Sequence, residues 1–464
     1  MDLRNKKVTV VGLGNSGIGS ALLLYSKGAI VSVTDSSDTV AVRKNAKLLK
    51  KKYVDTEIGA HTEEFLKGTE LFVVSPGIED SALPLRYAKK NSVPAISELE
   101  LGYNFCEAPI VAVTGTNGKS TVVSLIGGIL RAAGIPAVVC GNIGNSLSGE
   151  LCASGPGSIT KNTVVVLEAS SFQLERTVFF RPKISVILNV SEDHMDRYDG
   201  FRDYLAAKKN IFKNQRKGDI ILLNYDDVNL RELGEAGTAA RPLYFSAGKK
   251  VKGAYLENGA VKTFLKNKTK RLFGIKGTLL KGAHNTENIL AAVLAAVLIG
   301  ADRVSAEKAV KHFTPLAHRF EVIEKLGGVD FIDDSKATNV DSACRALEAA
   351  GKNVILIAGG KDKNLPYEKL ARVLKKNVKK IFLIGEARVK MRGIFKKYVE
   401  VEEKGSLEEA VFAAHESASP GDCVLLSPMC SSFDMFTDYR HRGGVFRESV
   451  KKLKSRKEVK KCLK

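Results

Sequence analysis

Residues Val111–Ser120, VAVTGTNGKS, decide how this chain is read. Val111, Ala112 and Val113 have the composition of a buried strand end. Gly115 and Gly118 allow a turn tight enough to aim successive backbone N–H groups at one anion. Lys119 brings a positive charge to terminal phosphates, and Ser120 a hydroxyl suited to Mg²⁺. The first glycine of the usual phosphate loop would stand at 113, where the chain has Val113. An ordinary Gly-rich strand-to-helix turn has no need of Lys and Ser directly after its second glycine. The segment is therefore expected to bind ATP at the head of a helix.

On either side the chain alternates strand with helix, the pattern of α/β layering. Three blocks result, expected as domains 1–97, 98–315 and 316–464. The first has strands at Val8–Val11, Ile30–Thr34 and Leu71–Val74, with a helix at Ile18–Lys27. The second holds the phosphate loop, strands at Ala137–Val139, Val164–Leu167, Ile184–Val190 and Ile220–Leu223, and an apolar helix after Asn285. The third has strands at Val329–Ile332, Val354–Ala358, Ile381–Ile384 and Val424–Leu426, and a helix at Ser406–His415. The fold class expected is α/β in three domains. The central one is P-loop ATPase-like with a mainly parallel sheet, and the flanking two are Rossmann-like.

Composition narrows the functional classes. A chain of 464 residues, 44% apolar and 27% charged, has the size of about three domains and the make-up of a soluble globular protein. The N-terminal apolar run is too short for a signal peptide, and Ile289–Ala301 is too short to cross a bilayer. No membrane insertion is expected. The cysteines at 106, 140, 152, 344, 423, 430 and 462 lack metal-type spacing and read as small buried residues in a reducing compartment, the cytoplasm. The net charge of +21 comes from dispersed runs (Lys50–Lys52, Lys249–Lys252, Lys266–Arg271, Lys375–Lys380, Lys451–Lys464), without interleaved aromatics and with no tryptophan. Those runs read as solvated faces and speak against nucleic acid binding. A positive field would still speed capture of polyanionic substrates.

Other constellations surround the loop. Gly12-Leu13-Gly14-Asn15-Ser16-Gly17 fits GxGxxG between strand and helix, and Asp35 closes the next strand. Alone it argues for an NAD-dependent oxidoreductase. The physics asks only for a diphosphate on the helix N-terminus, which a UDP-sugar supplies equally well. The strand Val164–Leu167 ends in Glu168, and Ile184–Val190 runs into Ser191-Glu192-Asp193-His194. Ligands of open parallel sheets lie beyond the carboxyl ends of strands, so Glu168 and His194 should converge with Lys119 and Ser120 on metal and phosphate chemistry. The third block offers His318-Arg319-Phe320-Glu321, Asp333 to Asn339 (DDSKATN) and Ser427 to Ser432. An Arg and a Lys on a separate domain suit a closing mechanism.

The ordered series GLGNSG, SPGI, TGTNGKST, GNIG, EASSFQLE, LNVSEDHMDRY, AAK, HNTEN, HRFE, DDSKATN and LSPMCSS covers nearly the whole chain and resembles the Mur ligases. DDSKATN points to the D-glutamate-adding branch, because alanine-adding and diaminopimelate- or lysine-adding relatives carry a DYAH-type sequence there. Folylpolyglutamate synthetases lack the N-terminal GxGxxG block. The resemblance implies ATP-dependent ligation of D-glutamate to UDP-N-acetylmuramoyl-L-alanine through an acyl phosphate, in peptidoglycan precursor synthesis, by a monomer. The alternatives are another Mur-type ligase, an NAD-dependent oxidoreductase that would leave GTNGKS without a role, and a nucleic-acid-stimulated NTPase favoured only by charge.

By the same resemblance, Gly115, Thr116, Asn117, Gly118, Lys119, Ser120 and Thr121 hold ATP phosphates. Asn285, Asn288, Arg319, Asp334 and Lys336 add further ATP contacts. Ser120, Glu168, His194 and a carbamylated Lys208 would ligate one or two Mg²⁺ ions, with Lys119, His194, Lys208 and Lys336 serving the reaction. Gly14, Asn15, Ser16, Asp35, Ser36, Ser75 and Gly77 would hold the uridine nucleotide, with Asn142, Ser170 and Gln173 toward the muramoyl peptide. Thr338, Lys363, Ser432 and Tyr439 would hold D-glutamate; Tyr439 stands where the family often has phenylalanine.

Overall fold

The computed structural model describes residues 1–464 except 154, 156, 281, 463 and 464, and omits the side chains of 456–462. Its strands form three sheets. The first has five parallel strands in the order Asp55–Ile58, Ile30–Asp35, Lys7–Val11, Leu71–Val74, Ala95–Ser97. The second has nine: Lys268–Gly274, Ala260–Leu265, Gly253–Glu257, Arg241–Ser246, Ile220–Asn224, Ile184–Ile187, Ile110–Thr114, Val164–Glu168, Ala137–Gly141. Seven of these run parallel, and the two at the Lys268–Gly274 edge join antiparallel. The third sheet orders Glu321–Leu326, Val329–Asp333, Cys423–Leu426, Val354–Gly359, Val378–Ile384, Glu400–Glu403, parallel except for its first pair.

Ile110–Thr114, Val164–Glu168 and Ile184–Ile187 are buried along their whole length, as expected of inner parallel strands covered on both faces. The helix Ala283–Ile299 is buried from Asn288 to Ala296, which explains its continuous apolar sequence. Lys268, Thr269, Lys270 and Arg271 lie exposed on the outermost strand of the nine, where lysines discourage edge-to-edge pairing. Among the described residues no helix is long and apolar enough to cross a membrane. The expectation of buried cysteines holds for Cys140, Cys423 and Cys430. It is corrected for Cys106, Cys152 and Cys344, which are half-buried because they lie on helices or loops at the margins of the cores. The side chain of Cys462 lies outside the described residues.

The contacts divide the chain into two compact units. One comprises Met1–Val190, Leu205–Thr278 and Asn285–Phe313, and so includes the first two sheets; the other comprises Ser191–Tyr204, Leu279–His284 and Thr314–Lys464. Within the first unit, two buried glutamates on the helix Glu98–Phe105 tie distant loops together. Glu100 accepts backbone N–H groups from Val178 at 2.9 Å, Phe179 at 2.8 Å and Phe180 at 3.1 Å. Glu98 accepts the Ser148 N–H at 2.7 Å, and burial raises its carboxyl above the usual range despite that bond. Removing Glu100 would orphan three donors at once. We expect Glu100→Ala to lower unfolding stability by about 3 kcal/mol, measured by urea denaturation; a change within error would show that water replaces the carboxylate without cost.

Candidate active site

The phosphate turn is built by sterics before any charge is considered. Gly118 caps the helix Lys119–Ala132 with φ +85°, and a Cβ there would stand 2.3 Å from Asn288 Oδ1. Only glycine fits both demands. Lys119 Nζ donates to the carbonyls of Gly115 at 2.8 Å and Thr116 at 2.9 Å, while Ser120 and Thr121 are buried in the first helical turn. Asn288 Nδ2 donates to Asn285 Oδ1 at 3.2 Å, which places this pair of predicted ATP contacts beside the turn.

Glu168 ends the strand next to Ile110–Thr114, in register with Val113. It is 2% exposed, and Oε1 accepts the Asn142 amide at 2.7 Å. Oε2 is buried and has no hydrogen-bond partner among the described residues. A buried carboxylate oxygen left open is costly unless a cation completes it. No group of three or more His, Cys, Asp and Glu residues suited to a metal occurs among the described residues. Mg²⁺ takes one or two carboxylates and completes its shell from substrate phosphates and water. Lys208 is 1% exposed and its Nζ donates to the Gly115 carbonyl at 3.0 Å, whereas the neighbouring Lys209 is exposed. Lys119 and Lys208 thus share one carbonyl.

In the first sheet, the turn after Lys7–Val11 is shaped by Asp35. Its Oδ2 accepts the Leu13 N–H at 2.7 Å and its Oδ1 the Ser37 N–H at 2.8 Å. Gly17 packs the helix onto the turn, since a Cβ there would stand 1.9 Å from the Gly12 carbonyl. Gly14, Asn15, Ser16, Ser36, Ser75 and Gly77 all lie at the carboxyl ends of these strands. Ser170 and Gln173 form a reciprocal capping box on the helix Ser171–Glu175, and Gln173 is buried in that role.

In the second unit, Asp334 is buried, accepting the Phe320 N–H at 3.0 Å and the Ser427 hydroxyl at 3.1 Å. Burial pushes its carboxyl up to about 7 against the pull of those bonds and of Arg319. Lys336 Nζ lies 3.8 Å from the centre of the Tyr439 ring. Ser432 is buried and Thr338 half-buried in the same unit. Asp193 is buried too. Burial alone would raise its carboxyl, but Lys363, His194 and Asn339 outweigh that and hold it well below the usual range. His194 belongs to this unit, whereas Ser120, Glu168 and Lys208 belong to the first.

Family models match nearly the whole of this framework: a MurD-like Mur ligase N-terminal domain over residues 6–97, the Mur ligase middle domain over 113–296, and the Mur ligase glutamate ligase domain over 318–430. The chain belongs to the Mur ligase family. Proteins named UDP-N-acetylmuramoylalanine--D-glutamate ligase from Koribacter versatilis and Geotalea daltonii are each 41% identical to it, over 98% of this chain and 99% of theirs. A solved UDP-N-acetylmuramate-alanine ligase from Thermotoga maritima shares the fold with a TM-score of 0.61 at 20% identity, over 96% of this chain and 99% of that one. A pseudomurein peptide ligase from Methanothermus fervidus does so at 0.60 and 20%, over 97% and 100%.

Two residues of this Mur ligase escape sequence reasoning. Asn189 uses its side-chain amide like a strand edge: Oδ1 accepts the Asn117 N–H at 2.8 Å and Nδ2 donates to the Asn117 carbonyl at 3.2 Å. Its own carbonyl accepts the Thr116 N–H at 2.9 Å. The quoted motif contains Asn189, but as the tail of a strand. Arg442 is fully buried. Its guanidinium donates to the Ser335 hydroxyl and carbonyl at 3.0 and 2.8 Å and to the carbonyls of Cys430 and Ser431 at 3.2 Å, fastening the DDSKATN loop to the SPMCSS loop. Burial draws its pKa down to about 10. Within a basic helix this arginine has no distinguishing sequence signal.

Asn189→Ala should raise the Kd for ATP about tenfold, the scale of one to two lost hydrogen bonds, with UDP-substrate affinity unchanged in calorimetry. An unaltered ATP affinity would show that the turn holds its shape alone. For Asp334, the folded pKa of about 7 exceeds the unfolded 3.8. Stability from this group is therefore full at pH values below the unfolded value and declines as pH rises through the folded one. Asp334→Asn should remove that part of the decline between pH 5 and pH 8 in urea titrations; an equally steep decline would place the charge elsewhere.

Proposed function

We propose that this Mur ligase joins D-glutamate to UDP-N-acetylmuramoyl-L-alanine with hydrolysis of ATP to ADP and phosphate. The observation that carries the reading is the glycine-built phosphate turn beside a buried carboxylate with an open oxygen, in a chain whose DDSKATN loop follows the first central strand of the third sheet. Residues 1–97 take the uridine nucleotide, 98–315 take ATP, and 316–464 take the amino acid.

The chemistry asks for no enzyme nucleophile. The substrate carboxylate attacks the γ-phosphorus, ADP leaves, and the amine of D-glutamate then displaces phosphate from the acyl carbon. Two anions must meet first, so the main task of the protein is positioning and neutralisation. Lys119, at the head of the helix Lys119–Ala132, cancels phosphate charge. Asn285, Asn288, Arg319, Asp334 and Lys336 orient the nucleotide. Mg²⁺, when bound, supplies further charge neutralisation; Ser120, Glu168 and His194 would hold it, together with Lys208 as its carbamate. Adding CO₂ to the neutral amine of Lys208 gives N–CO₂⁻ and releases one proton. The crowding of two ammonium groups at the Gly115 carbonyl supports the assignment, because the carbamate turns that repulsion into attraction. Thr338, Lys363, Ser432 and Tyr439 serve D-glutamate. The enzyme acts in the cytoplasm as a monomer.

Phosphate release from ATP should require both UDP-N-acetylmuramoyl-L-alanine and D-glutamate, with L-glutamate inactive. Release driven by polynucleotide, or NADH oxidation without ATP use, would contradict the reading. Lys208→Ala should lose activity by at least about 100-fold and recover part of it with added acetate. Full activity in that variant would remove the carbamate.

A further inference from the structure

Residues 191–204 lie, in sequence, between the strands Ile184–Ile187 and Ile220–Asn224 of the nine-stranded sheet. By their contacts they belong to the C-terminal unit. What holds them there is a buried ionic cluster. Asp193 and Lys363 are each 5% exposed, and Lys363 Nζ donates to Asp193 Oδ1 at 2.9 Å. The other carboxylate oxygen accepts the amide of Asn339 at 3.1 Å, and Asn339 in turn caps the helix Val340–Ala350. Glu192 pairs with Lys369, and Met195 packs against the apolar core that contains Ile332, Val340 and Met429.

His194 follows directly. Its backbone has φ +59°, a conformation that costs a residue with a side chain about 1 kcal/mol and persists only where neighbours impose it. Asp193 Oδ1 accepts the His194 N–H at 2.9 Å, and the His194 carbonyl accepts the N–H groups of Arg197 and Tyr198 at 2.9 and 3.2 Å. The same carboxylate oxygen thus holds the Lys363 ammonium and the His194 backbone. Withdrawing Lys363 would leave a buried carboxylate short of its counter-charge, and such a group recovers by admitting water and moving.

We propose that Lys363 is a positioning residue for His194, acting through Asp193. This rests on the reading of His194 as part of the metal and phosphate site. It adds to the contact with D-glutamate that resemblance assigns to Lys363, since an ammonium has three donors.

The test compares Lys363→Met, Asp193→Asn, their double variant and Lys363→Arg in the full-length enzyme. Amide hydrogen exchange over residues 191–198 should quicken by at least about tenfold in each single variant, with no further gain in the double variant. The Kd for ATP with Mg²⁺, by calorimetry, should rise about tenfold in each, the scale of losing a supporting contact behind a metal ligand. Lys363→Arg should restore most of both. UDP-substrate affinity stays unchanged and reports folding of the first unit. If Asp193→Asn fails to fold, Lys363→Met against Lys363→Arg carries the same comparison. The proposal is overturned if Lys363→Met leaves exchange and ATP affinity at wild-type values and raises only the KM for D-glutamate. His194→Ala separates the underlying reading: unchanged ATP–Mg²⁺ affinity in that variant removes the role of His194, while the exchange result still judges the clamp.

Discussion

Between the strand Ile110–Thr114 and the helix Lys119–Ala132 the backbone must turn tightly enough to present a helix N-terminus to an anion, and nearby structure is arranged around that demand. A helix N-terminus has donors without internal partners, and its dipole attracts phosphate. Gly118 supplies the left-handed step, and Asn288 packs so close that no side chain could replace it. Asn189 reaches across from the neighbouring strand and pins Asn117 by both backbone groups. Lys119 and Lys208 converge on Gly115 from two different helices. The turn is held from outside, so its shape does not wait for the ligand.

Buried charges do the fastening elsewhere. Glu100 gathers three backbone donors, Asp193 gathers Lys363, Asn339 and its own neighbour, and Arg442 spends its donors on two loops. Each joins segments far apart in sequence. Such groups add little net stability compared with an apolar replacement, yet removing one partner is expensive. They act as registration devices: each allows one arrangement of its loops and penalises the others. That suits the reaction proposed above, which brings three anionic or zwitterionic ligands into line without a covalent intermediate on the protein.

Much of this was legible in the sequence. Runs such as Val111–Val113, Val164–Leu167 and Val354–Ala358 are apolar on both faces because helices cover both, and Thr114 and Glu168, the polar residues after the first two, mark strand ends of the kind where ligands of open parallel sheets bind. The strand Lys268–Gly274, with two lysines and an arginine, was not legible: it lies at a sheet edge, where one exposed side blurs the alternation. Glu321–Leu326 escaped for the same reason. The role of Asn189 depends on a partner 72 residues away, and that of Asp193 on one 170 residues away. Local pattern carries no information about such meetings. Glu98 and Glu100 sit on a short helix among apolar residues, where sequence shows only two acids at i and i+2.

Isotope tracing addresses the central claim, that the substrate carboxylate and the γ-phosphate meet over this turn. UDP-N-acetylmuramoyl-L-alanine carrying ¹⁸O in its alanyl carboxylate is turned over with ATP and D-glutamate, and the released phosphate is analysed by mass spectrometry. An acyl phosphate transfers one labelled oxygen to each phosphate. Unlabelled phosphate, with the label retained in the product or lost to water, would contradict the account.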